Sequence, residues 1–199
     1  MVMAQLCGIL LVFITALIGA GLAPWFAFGA ALPPFSLVDT AGHPHTAAEF
    51  AGKRAVVLFF VSTDCPLSNG YVPELNRIAR DYGPRGVAFY AIQGDATVRA
   101  EDVRRHVKEF GYTFPYLFDP KESLAASTGA TTTPEAAVLG PTGELLYLGR
   151  IDNRLEDFGK QRVQITEFDL RNALDAILNG KPVTRPRTKA LGCAITKGN

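Results

Sequence analysis

The sequence predicts an α/β sandwich in which one layer of helices covers each face of a mixed sheet. Two continuous runs of β-branched and aromatic residues, AVVLFFVS at 55–62 and VAFYAIQ at 87–93, are typical of strands buried on both faces. The segment between them, 71–83, spaces its apolar side chains as one helical stripe and ends at a Gly-Pro pair. Together these segments predict a β-α-β unit with parallel strands and a right-handed crossover.

The elements on either side of this unit complete the sandwich. Before it, the stretch from Pro33 predicts a short strand and a helical turn that Thr46 caps with Glu49 three residues later. After it, helices are predicted at 98–111, 121–128 and 166–180, and strands at 114–118, 135–140 and 144–151. The last two strands are joined by Pro-Thr-Gly, a hairpin-type turn, so they are expected to run antiparallel.

Composition and charge exclude several classes of protein. The 199 residues are 48% hydrophobic and 20% charged, which is typical of a globular domain and not of a disordered or fibrous chain. Twenty lysines and arginines balance nineteen aspartates and glutamates, with no dense basic stripe, so nucleic-acid binding is not expected. The three cysteines fit neither a disulfide-rich scaffold nor zinc-site spacing, and no metal or other cofactor is predicted.

The N-terminal segment is predicted to be an export signal or a membrane anchor. No charged side chain precedes Asp39, and the apolar run from Leu6 to Leu32 is long enough to cross about 30 Å of hydrocarbon as a helix. Two interpretations stay open: residues 1–30 are cleaved as a signal peptide near the small residues 27–31, or they remain as a hydrophobic helix that tethers the domain. In both cases the domain is expected outside the cytoplasm, in the periplasm or secreted.

The candidate chemistry centres on Cys65. This residue follows a predicted central strand and precedes a predicted helix, where unpaired N–H groups and the helix dipole favour an anion such as a thiolate. The dipole contributes only about 0.3–1 kcal/mol. The hydroxyls of Ser62 and Ser68 are therefore expected to donate hydrogen bonds to the sulfur, whereas Asp64 opposes its ionisation by like-charge repulsion. A buried, inert cysteine is the alternative interpretation.

The segment around Cys65 resembles the thioredoxin-fold family. The stretch FFVSTDCPLSNGYVPEL, with Pro73 eight residues after Cys65, is similar to the active-site strand, nucleophilic cysteine and proline-kinked helix of that family. TTTPEA further along resembles the turn with a cis-proline that faces the cysteine, which implies that Thr133 and Pro134 shape the substrate face. The resemblance spans roughly 33–180, and the prelude ALPPFSLVD is similar to redoxins of the alkyl hydroperoxide reductase/thiol-specific antioxidant branch. It implies a thioredoxin-like three-layer α/β/α sandwich with a mixed central sheet.

Two departures from the family pattern bear on the chemistry. Ser68 occupies the position, three residues after Cys65, where a dithiol reductase has its second cysteine, so the site is predicted to be monothiol. Ser62 and Cys65 match the peroxiredoxin pattern, but Leu58 replaces its proline, and Pro134 stands where the active-site arginine of that family is expected. The missing arginine counts against efficient peroxidase activity.

Cys193 and Glu135 complete the set of candidate residues. The domain itself is predicted at 31–180, and residues 181–199 are predicted to form a flexible C-terminal tail that carries Cys193. Three roles stay open for Cys193: a thiol that resolves an oxidised Cys65, a permanent structural disulfide with it, or an unrelated thiol. The Gly-Cys context resembles the tail of peroxiredoxin-like redoxins. Glu135 either shuttles a proton near the sulfur or is a partly exposed strand residue.

The sequence therefore favours an exported thiol oxidoreductase in which Cys65 attacks a peroxide or a protein disulfide. A thiol or dithiol donor, protein or small molecule, would return the electrons. A peroxiredoxin-like activity is preferred over that of a monothiol disulfide reductase or cytochrome-maturation-type thioredoxin. The third alternative is a non-enzymatic, copper-handling thioredoxin-like protein, although Asn69 stands where its second cysteine is expected. His43 and His45 are interpreted as an exposed turn, and His106 as a solvated residue on a charged helix face.

Overall fold

A computed structural model describes residues 31–195 of the chain. Its strands are β1 (Ser36–Asp39), β2 (Pro44–Thr46), β3 (Ala55–Val61), β4 (Val87–Gln93), β5 (Tyr116–Phe118), β6 (Thr132–Thr133), β7 (Glu135–Leu139), β8 (Leu145–Gly149), β9 (Leu155–Asp157), β10 (Lys160–Gln161) and β11 (Cys193–Ala194). Its helices are α1 (Pro66–Tyr82), α2 (Ala100–Phe110), α3 (Ser123–Thr128) and α4 (Asp169–Leu178), with short 3-10 turns at Ala47–Phe50 and Gly83–Arg85.

A mixed seven-stranded sheet forms the centre of the fold, in the order β2-β1-β5-β4-β3-β7-β8. β3 and β4 are parallel, with Ala55 opposite Val87 and Val61 opposite Gln93. β7 pairs antiparallel with β3, and β8 antiparallel with β7. Every residue of β3 is buried, because both faces of the sheet are covered. The predicted β-α-β unit and the antiparallel hairpin are confirmed.

Alternate side chains of β3 enter two separate apolar layers. Phe59 packs in the layer that α1, α2 and α4 cover, together with Leu75 and Leu174. Phe60 packs in the opposite layer, against Leu124 of α3. This arrangement confirms the predicted sandwich and leaves the carboxyl end of β3 as the point where the chain emerges from the core.

Helix α1 and helix α4 differ from the predicted bounds. α1 begins at Pro66, before the predicted start at 71, because a proline fits the first helical position, where the N–H has no helical partner. α4 begins after Phe168 instead of Thr166, since the Thr166 hydroxyl accepts a hydrogen bond from Asn153 at 2.8 Å and does not cap the helix. The predicted capping box of the first helical turn, between Thr46 and Glu49, is present.

The segment predicted as a flexible C-terminal tail follows a defined path up to residue 195. Beside β8, Leu148 donates a backbone hydrogen bond to Pro186 at 2.9 Å, and Thr188 donates one back to Leu148 at 3.1 Å. Further along, β11 pairs antiparallel with β6. These backbone hydrogen bonds hold the tail across the end of the sheet where β3 gives way to α1.

The predicted signal peptide or anchor at 1–30 lies outside the described residues. Among residues 31–195, no helix combines the length and the apolar character that crossing a membrane requires.

Candidate active site

Cys65 occupies the N-cap position of α1, directly after the chain leaves β3. Its N–H donates to the carbonyl of Ser62 at 3.3 Å, and its own carbonyl accepts from the N–H of Asn69 at 3.0 Å. Pro66 follows as the first helical residue. The side chain at this position lies at the positive end of the helix dipole, which favours a thiolate over a thiol.

The Thr133–Pro134 turn faces Cys65, as the resemblance implies. The peptide bond between the two residues is cis. The carbonyl oxygen of Thr133 lies 3.2 Å from the sulfur of Cys65, so a protonated thiol there can donate a hydrogen bond to it. The turn and the N-terminus of α1 together form the two walls of the site.

Cys193 closes the site from the C-terminal tail. It is joined to Cys65 in a disulfide with a Cα–Cα distance of 6.1 Å, within the usual range for such bonds, although 128 residues separate the two in the chain. Cys65 is only 1% exposed, whereas Cys193 is half-buried. A cavity of about 70 Å³ lies beside the pair, and Cys193, Ser62 and Thr133 are among the residues that line it. Cys193 borders this cavity, whereas Cys65 is not among the residues that line it.

The two serine hydroxyls do not make the expected contacts with the sulfur. The Ser62 hydroxyl accepts a hydrogen bond from the N–H of Asp64 at 3.4 Å. Ser68 is fully buried on the inner side of α1, and its hydroxyl has no hydrogen-bond partner among the described residues. A sulfur in a disulfide carries no negative charge and attracts such donors only weakly. Asp64 is exposed, and water screens its repulsion of an ionised Cys65.

Glu135 is buried, contrary to the interpretation as a partly exposed strand residue. It is 6% exposed, and its carboxylate accepts hydrogen bonds from the N–H groups of Thr131 at 2.9 Å and Thr132 at 3.3 Å. Burial raises the pKa of Glu135, although these two donors oppose the change. The carboxylate thus holds the segment that leads into the cis peptide, and no described hydrogen bond joins it to Cys65.

A buried tyrosine–aspartate pair beside the site was not among the sequence candidates. The Tyr71 hydroxyl donates to Asp152 at 2.6 Å, and the Arg154 guanidinium lies 4.5 Å from the Tyr71 ring centre. Burial, followed by the hydrogen bond to Asp152, raises the pKa of Tyr71. Pro134 and Leu191 close a small cavity against this pair. The sequence signal for the burial of Tyr71 was its position four residues before Leu75, which places both side chains on the same face of α1.

Two glycines allow the tail to pack closely against the domain, and neither was among the sequence candidates. A Cβ atom built at Gly149 would lie within 3.0 Å of the backbone and hydroxyl of Thr188. One built at Gly192 would lie within 3.0 Å of the carbonyl group of Thr133. A glycine in a strand often marks the close approach of another backbone, and Gly149 at the end of a predicted strand carried that signal.

His43 lies in an exposed turn as predicted, whereas the other two histidines differ from their predicted surroundings. His45 is partly buried and hydrogen-bonded to Glu49 at 2.9 Å and to Asp39 at 3.3 Å. Partial burial lowers the pKa of His45, but these carboxylates outweigh it and raise the pKa above its ordinary value. His106 is buried instead of solvated, its ring centre lies 4.4 Å from that of Phe110, and burial lowers its pKa. Within residues 31–195, no cluster of three or more ligating side chains forms a metal site.

Comparison with known proteins places the chain in a family. The model of the Redoxin family matches residues 27–161. The chain is a member of the redoxin family. The thiol-disulfide oxidoreductase ResA of Geobacillus thermodenitrificans is 27% identical to this redoxin over 120 residues, which are 60% of this chain and 67% of that protein.

Two solved structures resemble the redoxin over most of its length. A hypothetical protein from Sinorhizobium meliloti 1021 is 34% identical, with a TM-score of 0.74 over 85% of this chain and 95% of that one. An uncharacterized conserved protein from Geobacillus kaustophilus is 30% identical, with a TM-score of 0.76 over 86% of this chain and 92% of that one. The predicted thioredoxin-like fold is confirmed, and relatives with the name thiol-disulfide oxidoreductase confirm the predicted enzyme class, a thiol oxidoreductase.

Proposed function

We propose that this redoxin catalyses thiol-disulfide exchange with Cys65 and Cys193 as its redox pair. The observation that carries the proposal is the position of the two sulfurs: one lies at the N-terminus of α1 facing the cis-proline turn, and the other reaches it from the tail. Ser68 occupies the position, three residues after Cys65, where a dithiol site has its second cysteine. The tail supplies the missing thiol. The curated relatives named thiol-disulfide oxidoreductases support the same chemistry.

The reduced protein would pass two electrons to a disulfide in two steps. The Cys65 thiolate attacks one sulfur of the substrate disulfide, forms a mixed disulfide and releases the other sulfur as a thiolate, which takes a proton from water. The Cys193 thiolate then attacks the Cys65 sulfur and releases the second substrate thiolate. The substrate disulfide is reduced to two thiols, and the protein is left with the Cys65–Cys193 disulfide.

A thiol or dithiol donor returns the protein to its reduced state. Its thiolate attacks the sulfur of Cys193, the half-buried residue that borders the cavity, and Cys65 leaves as a thiolate. The N-terminus of α1 stabilises this leaving group, and a more stable thiolate leaves faster. A second donor thiolate then attacks the donor sulfur bound to Cys193, which frees Cys193 and yields the oxidised donor.

The other site residues have supporting roles in this proposal. The Thr133 carbonyl accepts a hydrogen bond from Cys65 when the latter is protonated, and Glu135 positions the turn that carries this carbonyl. The buried, unpartnered hydroxyl of Ser68 is a donor that can turn to the sulfur once Cys65 is a thiolate. Residues 1–30 export or tether the domain, so that exchange takes place where disulfides persist.

Reduction of a peroxide is the second candidate. In its favour, a lone loop cysteine with a resolving thiol on the tail is the arrangement that a sulfenic acid at Cys65 requires. Against it, Pro134 stands at the position expected for the active-site arginine of a peroxiredoxin.

The test is a comparison of two substrates with the full chain and a dithiol donor. Insulin disulfide reduction and hydrogen peroxide consumption are measured for the wild type, for Cys65→Ser and for Cys193→Ser, with Cys7→Ser as the matched control. We expect insulin reduction by the wild type and Cys7→Ser, none by Cys65→Ser, and accumulation of a mixed disulfide on Cys193→Ser. Insulin reduction that survives in Cys65→Ser would overturn the proposal. Cys65-dependent peroxide turnover without insulin reduction would replace it with the second candidate.

A further inference from the structure

The tail shows how a polypeptide cysteine reaches Cys65. The Cys65 sulfur is buried, and Cys193 occupies the approach to it. The residues around Cys193 run as a strand along β6, with Cys193 opposite Thr133 and Ala194 opposite Thr132. The Thr133 hydroxyl donates to the Cys193 carbonyl at 3.4 Å, and Ile195 donates to the carbonyl of Thr131 at 2.9 Å. A cysteine within another polypeptide that forms a disulfide with Cys65 must therefore take the place of this strand.

Gly192, directly before Cys193, lies against the main chain of the turn. A Cβ atom there would come within 3.0 Å of the carbonyl carbon and oxygen of Thr133 and of the Thr132 side chain, closer than real Cβ atoms come. The segment that carries this carbonyl is held by hydrogen bonds from the N–H groups of Thr131 and Thr132 to Glu135, which oppose its displacement. The position before the cysteine therefore favours glycine, because a residue with a Cβ atom fits there only if the turn shifts. Ala194, on the other side of the cysteine, is exposed and carries no such restriction.

The tail can leave this edge without detaching from the domain. Thr188 is held by Tyr147, whose hydroxyl lies 2.6 Å from the Thr188 hydroxyl, and by the N–H of Arg150 at 3.1 Å. Arg185 is paired with the buried carboxylate of Asp169 at 2.7 Å. Residues 189–192, in contrast, make no described hydrogen bond to the domain. Once the disulfide is reduced, release of 189–195 breaks the β11–β6 pairing and the apolar contacts of Leu191 and Ile195, while the contacts of 185–188 remain.

We propose that the polypeptide partner of this oxidoreductase carries its reactive cysteine in an extended segment with a glycine immediately before it. The proposal rests on the proposed function and adds the class of its substrate. The Gly-Cys segment of the partner lies along β6 in place of 192–195. The Cys65 thiolate attacks the partner's cysteine sulfur within its disulfide, and the partner's other sulfur leaves as a thiolate. Cys193 then attacks the Cys65 sulfur and releases the partner's Gly-Cys thiolate, and residues 192–195 take their place along β6 again as the partner segment leaves.

The test uses the reduced full chain with Cys193→Ser and Cys7→Ser, in which Cys65 is the only thiol. The probe is a synthetic peptide, TKALGCAI, whose cysteine is activated as a mixed disulfide with thionitrobenzoate, so that attack by Cys65 releases a coloured thiolate. A second peptide has alanine in place of the glycine. A third, the matched control, has serine in place of the alanine after the cysteine. The substituted tail competes equally with all three peptides, so the ratio of their rates reports the fit at β6.

The glycine peptide and the serine control are expected to react with Cys65 about tenfold faster than the alanine peptide, which corresponds to about 1.4 kcal/mol. Free cysteine activated in the same way reports the reactivity of Cys65 without a peptide backbone. Equal rates for the glycine and alanine peptides, with normal reaction of the activated free cysteine, would overturn the inference and leave the proposed function standing. Failure of Cys65 to react with any of these disulfides would overturn the proposed function, and the inference with it.

Discussion

Reduction of the Cys65–Cys193 disulfide should lower the free energy of unfolding by about 2–5 kcal/mol. The bond joins residues 128 positions apart, so it removes much of the conformational freedom of the unfolded chain. The loop-closure relation places a loop of this length near about 5 kcal/mol, and disulfides commonly contribute about 2–4 kcal/mol. The native contacts of 185–188 do not depend on the bond, so most of the effect arises in the unfolded state.

The measurement is urea unfolding of the wild type, followed by far-ultraviolet circular dichroism, with and without a dithiol reductant. The reduced protein should unfold at lower urea, and its Tm should fall by roughly 4–20 °C, given about 2–4 °C per kcal/mol for a chain of this size. Cys193→Ser should unfold at the same urea concentration as the reduced wild type, with or without reductant. Cys7→Ser should be destabilised by the reductant as the wild type is. Coincident unfolding curves for the oxidised and reduced wild type would refute the reasoning, because no cross-link would then constrain the unfolded chain.

Three further predictions concern the domain around the site. Gly149→Ala should displace the tail and lower the free energy of unfolding, measured by urea unfolding, by about 2–4 kcal/mol through the loss of about three hydrogen bonds. Gly70→Ala is the control: a Cβ atom there meets nothing within 4 Å, so this variant should not be destabilised. Leu75→Ala should lower the free energy of unfolding by about 2–5 kcal/mol. Val38→Ala, at a residue that is 49% exposed, should lower it far less, and similar losses for the two variants would contradict the assigned core. The raised pKa of His45 means that its ionic contacts stabilise the fold fully below about pH 6.5 and are lost as the pH rises through the raised value. The stability difference between wild type and His45→Gln should therefore shrink on going from pH 6 to 9, and a difference independent of pH would exclude this linkage.

The exchange chemistry and the peptide preference depend on different parts of the site. Exchange requires the Cys65 sulfur at the start of α1 and a second thiol that can reach it. The peptide preference requires the main chain of Thr133 and the space that Gly192 leaves empty. A Gly192→Ala variant should therefore keep a reactive Cys65 and yet close its own disulfide less readily, which reductant titration of the full chain can detect.

Local patterns in the sequence determined most of the framework. The runs at 55–62 and 87–93 are apolar without interruption, and such runs have few solutions other than buried parallel strands. The stripe that includes Leu75 and Ile78 has the period of a helix, and the position of Cys65 between strand and helix follows from these two signals. The cis peptide before Pro134 was implied by the resemblance of one short motif. All of these features depend on neighbours within a few residues.

Only the tertiary structure decided how distant parts of the chain meet. Three roles for Cys193 stayed open in the sequence because 128 residues separate it from Cys65, and spacing along the chain does not give a distance in space. Glu135 and His106 are polar residues whose burial depends on what packs above them, so their exposure was misjudged. The importance of Gly192 depends on the backbone of Thr133, which approaches it from another segment. Propensity and periodicity act between neighbours, whereas the site is assembled by contacts between the two ends of the domain.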